Sequence, residues 1–478
     1  MVAVRYSVVV HERQHAMTHA ENRQSQARRR PWIVLGATIV AIASYFALPA
    51  EMDELSRRMV VIFVLAAVFW ATEVIPLYAT SFCVIGLQVL LLAQHGGLAG
   101  RGDLSFGEFF EPFASSIIIL FLGGFLLARA VSKHHIDSAI AAKVLRPVAH
   151  KPVLLLFAVM GLTAFFSMWM SNTATTAMMI AIIMPLLKRI PESANFARAL
   201  ILAVPLGANI GGLGTPIGTP PNAVAMAALR RADFDITFLD WMLIAVPLEI
   251  GLLAIAGGLL ILFYPPGREL DLSDLGEREP ITARGWLTLG VLGAAIVLWL
   301  TSGWHGVADA VIALLAAAVL TAFSILDRRD VDSIDWNILI LMWGGLSLGV
   351  GMEATGLVSY VVEQPIFADV TGFMLALAVV VLAVGLSTFM SNTAAANLII
   401  PMAMAISVAE GGKLAILTAL ACSLAMALPV STPPNAIAFS TGRLPARSLL
   451  WVGGTISVLA MIALLLGYQF MIPLFLEL

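Results

Sequence analysis

The chain has 478 residues, of which 60% are hydrophobic and 12% are charged, whereas soluble domains carry roughly 25% charged residues. Its mean hydropathy is +0.94 and its net charge is −3. This composition excludes a soluble globular protein and predicts an integral membrane protein with many helical spans, most of whose mass lies in the lipid bilayer.

Two further classes of protein are excluded by the same composition. The basic residues are scattered through short loops, so no nucleic-acid-binding face is expected. The two cysteines, Cys83 and Cys422, lie in apolar stretches and provide neither a disulfide framework nor a zinc cluster. We therefore expect no nucleic-acid partner and no cofactor.

The chain begins with a polar segment, residues 1–31, that contains an arginine run at 28–30. We expect a cytoplasmic tail and regard a signal peptide as the weaker alternative, because the polar lead is long. Met17 could be the true start of the chain.

Apolar segments of span length follow along the rest of the chain. They are residues 32–50, 59–78, 80–94, 113–131, 199–229, 241–264, 285–303, 306–326, 336–352, 414–442 and 448–475. These segments predict an all-α polytopic membrane protein with about eleven transmembrane helices. Most Lys and Arg residues fall in alternate loops, which predicts a multi-pass plasma (inner) membrane protein with a cytoplasmic N-terminus and an outside C-terminus.

Two more uncharged apolar segments, 152–187 and 370–409, each return the chain to the side from which it entered. Neither exceeds the roughly 40 residues that two full crossings and a turn require. Their length favours re-entrant hairpins, although a pair of full spans would satisfy the same topology.

Each return segment has Ser-Asn-Thr at its centre, at 171–173 and at 391–393. Thr-Pro-Pro-Asn-Ala follows downstream in both halves, at 219–223 and at 432–436. The repetition of both motifs in the same order indicates an internal duplication. Five predicted crossings separate the two hairpins, so the halves are expected to be inverted, which is typical of transporters that bind substrate near the membrane midplane.

The duplication divides the chain into units. Residues 32–264 form the first span and the N-terminal repeat, 265–284 a cytoplasmic linker, and 285–478 the C-terminal inverted repeat. Each repeat holds one of the two hairpins and one broken helix, at 199–229 or at 414–442.

The chemistry of the motifs suits a transport site. Ser, Asn and Thr are preferred N-caps, so each Ser-Asn-Thr can begin a half-helix whose free N–H groups and dipole attract an anion. In Thr-Pro-Pro-Asn the prolines interrupt a helix and leave carbonyl groups free for a cation. The alternatives are a polar turn at the membrane surface and a packing kink.

Two other motifs, the stretch 70–76 and Asp335-Trp336, complete a pattern that resembles the divalent anion:sodium symporter family over about residues 33–478. This family comprises bacterial and animal dicarboxylate and citrate carriers. The resemblance implies a homodimer in which a transport domain, carrying the hairpins and broken helices, slides against a scaffold.

The resemblance also implies the site residues. Those expected at the substrate carboxylates are Ser171, Asn172, Thr173, Thr219, Ser391, Asn392, Thr393, Thr432 and Pro433. Those expected near sodium are Ser167, Ser171, Asn172 and Gly218, and again Ser387, Ser391, Asn392 and Ser431. The halves are not equivalent, because Ala395 and Ala396 replace the hydroxyl residues Thr175 and Thr176.

Together with the motifs, the resemblance implies a secondary active transporter that imports C4-dicarboxylates (succinate, malate or fumarate) with sodium as the coupling ion, by elevator-type alternating access. The alternatives are a sodium-independent dicarboxylate exchanger and a citrate or tartrate carrier on the same scaffold. An enzyme is not expected, because the spans contain no Ser/His or paired Asp site. Glu73 is singled out as the acid inside a long apolar run, with a snorkelling or capping role favoured over ion translocation.

Overall fold

A computed structural model describes residues 31–49, 51–94, 97, 104–190, 195–234, 236–266, 280–364, 372–406 and 410–470. The predicted tail, including Met17, and most of the predicted linker lie outside the described residues. Helices joined by short loops make up the described chain, which confirms the prediction of an all-α protein.

The first half of the chain contains ten main helices in its described part. They are α1 (Pro31–Ala47), α2 (Glu54–Thr72), α3 (Leu77–Leu92), α4 (Ser116–Lys133), α5 (Ile136–Leu145), α6 (Pro152–Ser167), α7 (Asn172–Arg189), α8 (Asn195–Gly211), α9 (Pro220–Arg231) and α10 (Phe238–Phe263). Short helical turns, Phe106–Phe110 and Glu111–Ala114, precede α4.

The second half repeats much of this arrangement. Its main helices are α11 (Ala283–Leu300), α12 (Asp309–Ala322), α13 (Trp336–Ala354), α14 (Leu357–Val362), α15 (Phe373–Phe389), α16 (Asn392–Ile406), α17 (Gly411–Cys422), α18 (Pro433–Ser440) and α19 (Ala446–Phe470). A short helix, Arg328–Asp332, lies between α12 and α13.

Six helical stretches in the described chain are long and apolar enough to cross a membrane, judged by length and composition. The longest are Phe106–Lys133, Phe238–Phe263 and Ala446–Phe470. The hairpin helices and the half-helices α8 and α17 are shorter apolar helices. The protein is therefore a polytopic helical membrane protein.

The helices of the structure differ from the sequence expectation at two places. The segment predicted at 59–78 ends as a helix at Thr72, because Glu73 takes a left-handed conformation with φ 47° and forms the C-cap, and Pro76 then precedes α3. Glu73 thus forms the C-cap through its backbone N–H, which donates to the Phe69 carbonyl oxygen, and the role of its side chain stays a prediction. The second difference is α5, a helix in a stretch expected to be a loop.

The packing of the two halves follows one pattern. In the first half, α8 packs against both helices of the hairpin formed by α6 and α7. In the second half, α17 packs in the same way against α15 and α16. Each short half-helix packs against helices of the other half of the chain. The helix α9 packs against α16 and α17, and α18 packs against α7 and α8. The two helix breaks consequently meet the hairpin tips in the interior of the bundle.

Charged side chains tie the end of α4 to the loop before α13. Arg129 Nε donates to Asp330 Oδ1 at 3.0 Å, and Lys133 Nζ also bonds Asp330. Burial opposes ionisation of Asp330, but the backbone N–H of Asp327 and these two cations outweigh it and hold its pKa below the usual range. The ion pair is therefore expected to stabilise the fold at neutral pH.

Candidate functional site

The two Ser-Asn-Thr motifs lie at the tips of the hairpins. In the first hairpin, Ser171 is the N-cap of α7 and its side chain accepts a hydrogen bond from the Ala174 N–H at 3.3 Å. In the second hairpin, α15 ends at Phe389 and α16 begins at Asn392. Each tip thus presents the N-terminus of a helix, which is the end whose N–H groups and dipole attract an anion.

Beneath the first tip, three oxygen atoms converge. The buried Ser167 Oγ lies 2.7 Å from Asn172 Oδ1 and 2.7 Å from the Ala208 carbonyl oxygen. A hydroxyl has one proton, so it bonds only one of these acceptors at a time. We call these three oxygens the first oxygen cluster.

The second half contains the same arrangement. Ser387 Oγ, also buried, lies 2.7 Å from Asn392 Oδ1 and 2.6 Å from the Cys422 carbonyl oxygen. These three atoms form the second oxygen cluster. In the first cluster the Ala208 carbonyl oxygen also accepts a hydrogen bond from the Gly212 N–H at 3.1 Å. Hydroxyl, amide and carbonyl oxygens are the ligands that hard cations prefer.

The first helix break, residues 212–219, differs from the sequence expectation in one respect. The carbonyl groups expected to be free there are hydrogen-bonded, because Asn222 Nδ2 lies 2.9, 3.2 and 2.8 Å from the oxygens of Gly212, Leu213 and Thr215. The prediction of unpartnered carbonyl groups in the break was wrong for these three.

The second break is closed in a similar way. Asn435 Nδ2 donates to the carbonyl oxygens of Met426 and Leu428, at 3.0 and 2.9 Å. Its backbone N–H donates to Thr432 Oγ1 at 3.2 Å, so Thr432 caps α18.

The prolines also act differently from the expectation. The first half-helices end before them, α8 at Gly211 and α17 at Cys422. Pro220 and Pro433 instead begin α9 and α18, at the position where a missing N–H costs no hydrogen bond.

Each break is held against its hairpin tip by a hydroxyl group. Thr215 Oγ1 donates to the Met168 carbonyl oxygen, and Ser431 Oγ donates to that of Thr388 at 3.0 Å. The two carbonyls occupy matching places in the two hairpins. Ser431 therefore anchors the second hairpin tip, and its hydroxyl lies outside the second oxygen cluster.

Glycines allow the first break to approach the tip closely. A Cβ atom added to Gly212 would lie 2.7 Å from Asn172 Oδ1, and one added to Gly218 would lie 2.5 Å from the Gly212 carbonyl oxygen. Real Cβ atoms do not approach other atoms this closely. The break thus packs against the first oxygen cluster only because these residues lack side chains.

The structure brings most of the predicted site residues to the tips and the breaks, with unequal exposure. Ser171, Asn172, Ser391 and Asn392 are half-buried, Thr173 and Pro433 are exposed, and Ser167, Gly218, Thr219, Ser387, Thr393, Ser431 and Thr432 are buried. Thr219 is the N-cap of α9 but its side chain makes no capping hydrogen bond. The two halves therefore share a framework and differ in detail.

The sequence reasoning missed two polar residues of the interior. Asn209 Nδ2 lies 3.2 Å from Thr432 Oγ1 and 3.3 Å from Asn435 Oδ1, so it joins the first broken helix to the second. Glu249, in the middle of α10, is buried. Like Glu73, it is an acidic residue inside a long apolar run. Neither belongs to a repeated motif, and Glu249 was recognisable only as a charge in an apolar segment.

A cavity of about 750 Å³ lies between α4, α9, α13 and α16. Its charged lining includes Arg230, Arg231 and Glu353, and none of the predicted site residues line it. Arg230 Nη2 is 2.9 Å from the buried Asp309 carboxylate, and Arg231 pairs with Glu353. The cavity is thus separate from the hairpin tips.

The fold and the paired hairpin tips define a polytopic helical membrane protein of the transporter class. The chain matches the model of the citrate transporter family over residues 67–423 and 297–476, and it belongs to that family. The family and the curated relatives of the chain are transporters.

Curated relatives match nearly the whole chain. A protein of Staphylococcus saprophyticus named sodium-dependent dicarboxylate transporter SdcS is 30% identical, over 95% of this chain and 93% of its own length. An uncharacterised transporter of Haemophilus influenzae is also 30% identical, over 88% of this chain and 93% of its own length.

Two solved structures share the fold at low sequence identity. The Alcanivorax borkumensis YdaH transporter has a TM-score of 0.57 at 15% identity, over 88% of this chain and all of that one. Neisseria gonorrhoeae MtrF has a TM-score of 0.53 at 13% identity, over 89% of this chain and 96% of its own.

Proposed function

We propose that the protein is a secondary active transporter that imports C4-dicarboxylates (succinate, malate or fumarate) together with sodium. The observation that carries this proposal is the pair of oxygen clusters, each built from a serine, an asparagine and one backbone carbonyl. Each cluster lies directly beneath a helix N-terminus. A cation below and an anion above the same hairpin tip is an arrangement suited to coupled transport.

The electrostatics of the tips support the coupling of an anion to cations. A dicarboxylate carries two negative charges, and each helix N-terminus provides the equivalent of only about +0.5 charge. The tip and break residues contain no Lys or Arg. Two sodium ions, one at each cluster, would supply the missing positive charge. The hydrogen-bonded break carbonyls of Gly212, Leu213 and Thr215 do not contribute to this argument, which depends on the clusters.

We further infer how the whole protein is arranged around this site. The substrate carboxylates lie at the two Ser-Asn-Thr tips, with Thr219, Thr432 and Pro433 alongside. Residues 32–264 and 285–478 form the two inverted repeats on either side of the linker 265–284. The hairpins and broken helices move as a transport domain against the other helices, in a homodimer with its N-terminus in the cytoplasm. The name of the Staphylococcus relative supports the substrate class and the sodium dependence.

Uptake of labelled succinate into proteoliposomes tests this function. We expect saturable uptake that rises cooperatively with external sodium, because two sites must fill. Equal uptake after replacement of sodium by choline would contradict the sodium sites. A requirement for dicarboxylate preloaded inside the vesicle would identify an exchanger instead.

Citrate is the second candidate substrate, because the matching family model describes citrate transporters. Competition by citrate, tartrate, malate and fumarate in the same assay separates the candidates. We expect the C4-dicarboxylates to compete at lower concentrations than citrate.

A further inference from the structure

Glu249 lies behind the first helix break with its carboxyl group directed at the backbone. The residue is 4% exposed, and its Oε2 atom has no hydrogen-bond partner within the described residues. A Cβ atom added to Gly214 would lie 2.1 Å from Oε2. The carboxyl group therefore fills the space that a side chain at Gly214 would need.

We propose that Glu249 is a proton-binding site behind the first break, and that release of its proton strengthens cation binding at the first oxygen cluster. The second half of this statement rests on the proposed function, because it assumes that the cluster binds sodium. The assignment of Glu249 as a proton-binding site depends only on the surroundings of its carboxyl group.

The surroundings of Glu249 do not stabilise a bare negative charge. The helix α10 packs against α6, α8, α11 and α19. The titratable side chains on α10 itself and on these helices are Asp240, Arg198, Arg284, Arg447 and Tyr468. Each of them lies within four residues of a helix end, whereas Glu249 is more than ten residues, or roughly 15 Å, from either end of α10.

Burial of an unpaired carboxylate is costly, so such a group takes up a proton or a cation. A metal ion would need several free oxygen ligands. The nearby carbonyl oxygens of Gly212, Leu213 and Thr215 already accept hydrogen bonds from Asn222, and Trp241 Nε1 donates to that of Leu213 at 3.0 Å. A proton needs only the carboxylate itself, so the geometry favours a proton.

The carboxyl group and the first oxygen cluster contact the same break two residues apart. Gly212 lies against Asn172 of the cluster, and Gly214 lies against Glu249. Two charges about 10 Å apart, at an effective dielectric constant of about 20, change each other's binding roughly tenfold. Ionised Glu249 should therefore tighten sodium binding by about this factor, and sodium should in turn favour proton release.

The test compares the half-saturating sodium concentration for succinate uptake across a range of pH. In the unaltered protein it should fall roughly tenfold as the pH rises. In Glu249→Gln the half-saturating sodium concentration should stay, at every pH, at the high value that the unaltered protein shows at low pH. The matched control is Glu363→Gln, the same change at an exposed glutamate, which should retain the original pH dependence. A Glu249→Gln variant that retains it overturns the proposal.

Infrared difference spectra between low and high pH, recorded without sodium or substrate, test the proton site separately. A protonated-carboxyl band that disappears at high pH and is missing from Glu249→Gln supports the site, and its absence from the unaltered protein overturns it. If uptake proves independent of sodium, the proposed function fails while these spectra still decide on Glu249. Should the glutamine variant not fold, Glu249→Asp must shift the pH midpoint of the band, and an unshifted midpoint refutes the assignment.

Discussion

A single methyl group placed at Gly212 should disturb the first oxygen cluster from outside it. In Gly212→Ala the new Cβ atom would lie 2.7 Å from Asn172 Oδ1 and 2.9 Å from Nδ2. The amide must then move by several tenths of an ångström, and it carries the Oδ1 that lies 2.7 Å from Ser167 Oγ. The displacement takes one of the three oxygen ligands away from a bound cation, and the loss of one polar partner by a buried group costs about 1–3 kcal/mol.

That cost corresponds to a roughly 5- to 150-fold increase in the half-saturating sodium concentration for uptake. The matched control is Gly161→Ala on α6, where an added Cβ atom meets no other heavy atom within 4 Å. The control should retain the original sodium dependence. We expect Ser167→Ala to raise the sodium requirement in the same range. The two changes should combine less than additively, because both act on the same cluster.

Unchanged sodium dependence in Gly212→Ala, with normal amounts of protein in the membrane, would refute this reasoning. So would equal effects of Gly212→Ala and Gly161→Ala. The first result would mean that the cluster does not hold the coupling ion. The second would mean that the shared effect arises from the methyl group in general and not from its contact with Asn172.

Three further changes test other parts of the structure. Asn392→Ala should abolish succinate uptake while leaving folded protein in the membrane, as measured by uptake and size-exclusion chromatography; transport at the original rate would remove Asn392 from the site. In a cysteine-free background, a cysteine at the exposed Lys188 position should react with an impermeant reagent from the cytoplasmic side, and one at Glu363 from outside; labelling of both from one side would contradict inverted repeats. Asp330→Asn should lower the thermal unfolding temperature at pH 7, by the equivalent of about 1–2 kcal/mol, because it breaks a partly exposed ion pair. Since the folded-state pKa of Asp330 is lowered, this stabilisation is present above about pH 4 and lost below it, so the variant should show a smaller loss of stability in acid.

The positions of the helices could be predicted from the sequence because hydropathy and end signals act locally. Apolar segments of span length predicted most helix bounds to within a few residues. The Ser-Asn-Thr motif predicted the start of α7, since the Ser171 side chain caps that helix through its own neighbours. The end of α2 was missed because the left-handed turn at Glu73 lies inside an otherwise continuous apolar run.

The oxygen clusters could be predicted only in part. Ser167 and Asn172 are five residues apart in one hairpin, so a repeated motif identifies both. The third oxygen is a backbone carbonyl, from Ala208 in one half and Cys422 in the other. Any residue type supplies a carbonyl group, so no sequence pattern marks it. Asn222 belongs to the repeated Thr-Pro-Pro-Asn-Ala motif. The sequence does not reveal whether its side-chain amide or a cation contacts the carbonyl groups of the break, because this depends on how the break folds.

The two clusters have matching geometry but different surroundings, and this difference should make their cations unequal. The first half alone has buried hydroxyls at Thr175 and Thr176, which have no hydrogen-bond partner within the described residues, where the second half has Ala395 and Ala396. Glu249 likewise lies beside the first break only. A charge buried without a partner is costly, so ionised Glu249 favours an occupied first cluster over an empty one. We therefore expect sodium binding at the first cluster to depend on pH. Sodium binding at the second cluster should not depend on pH.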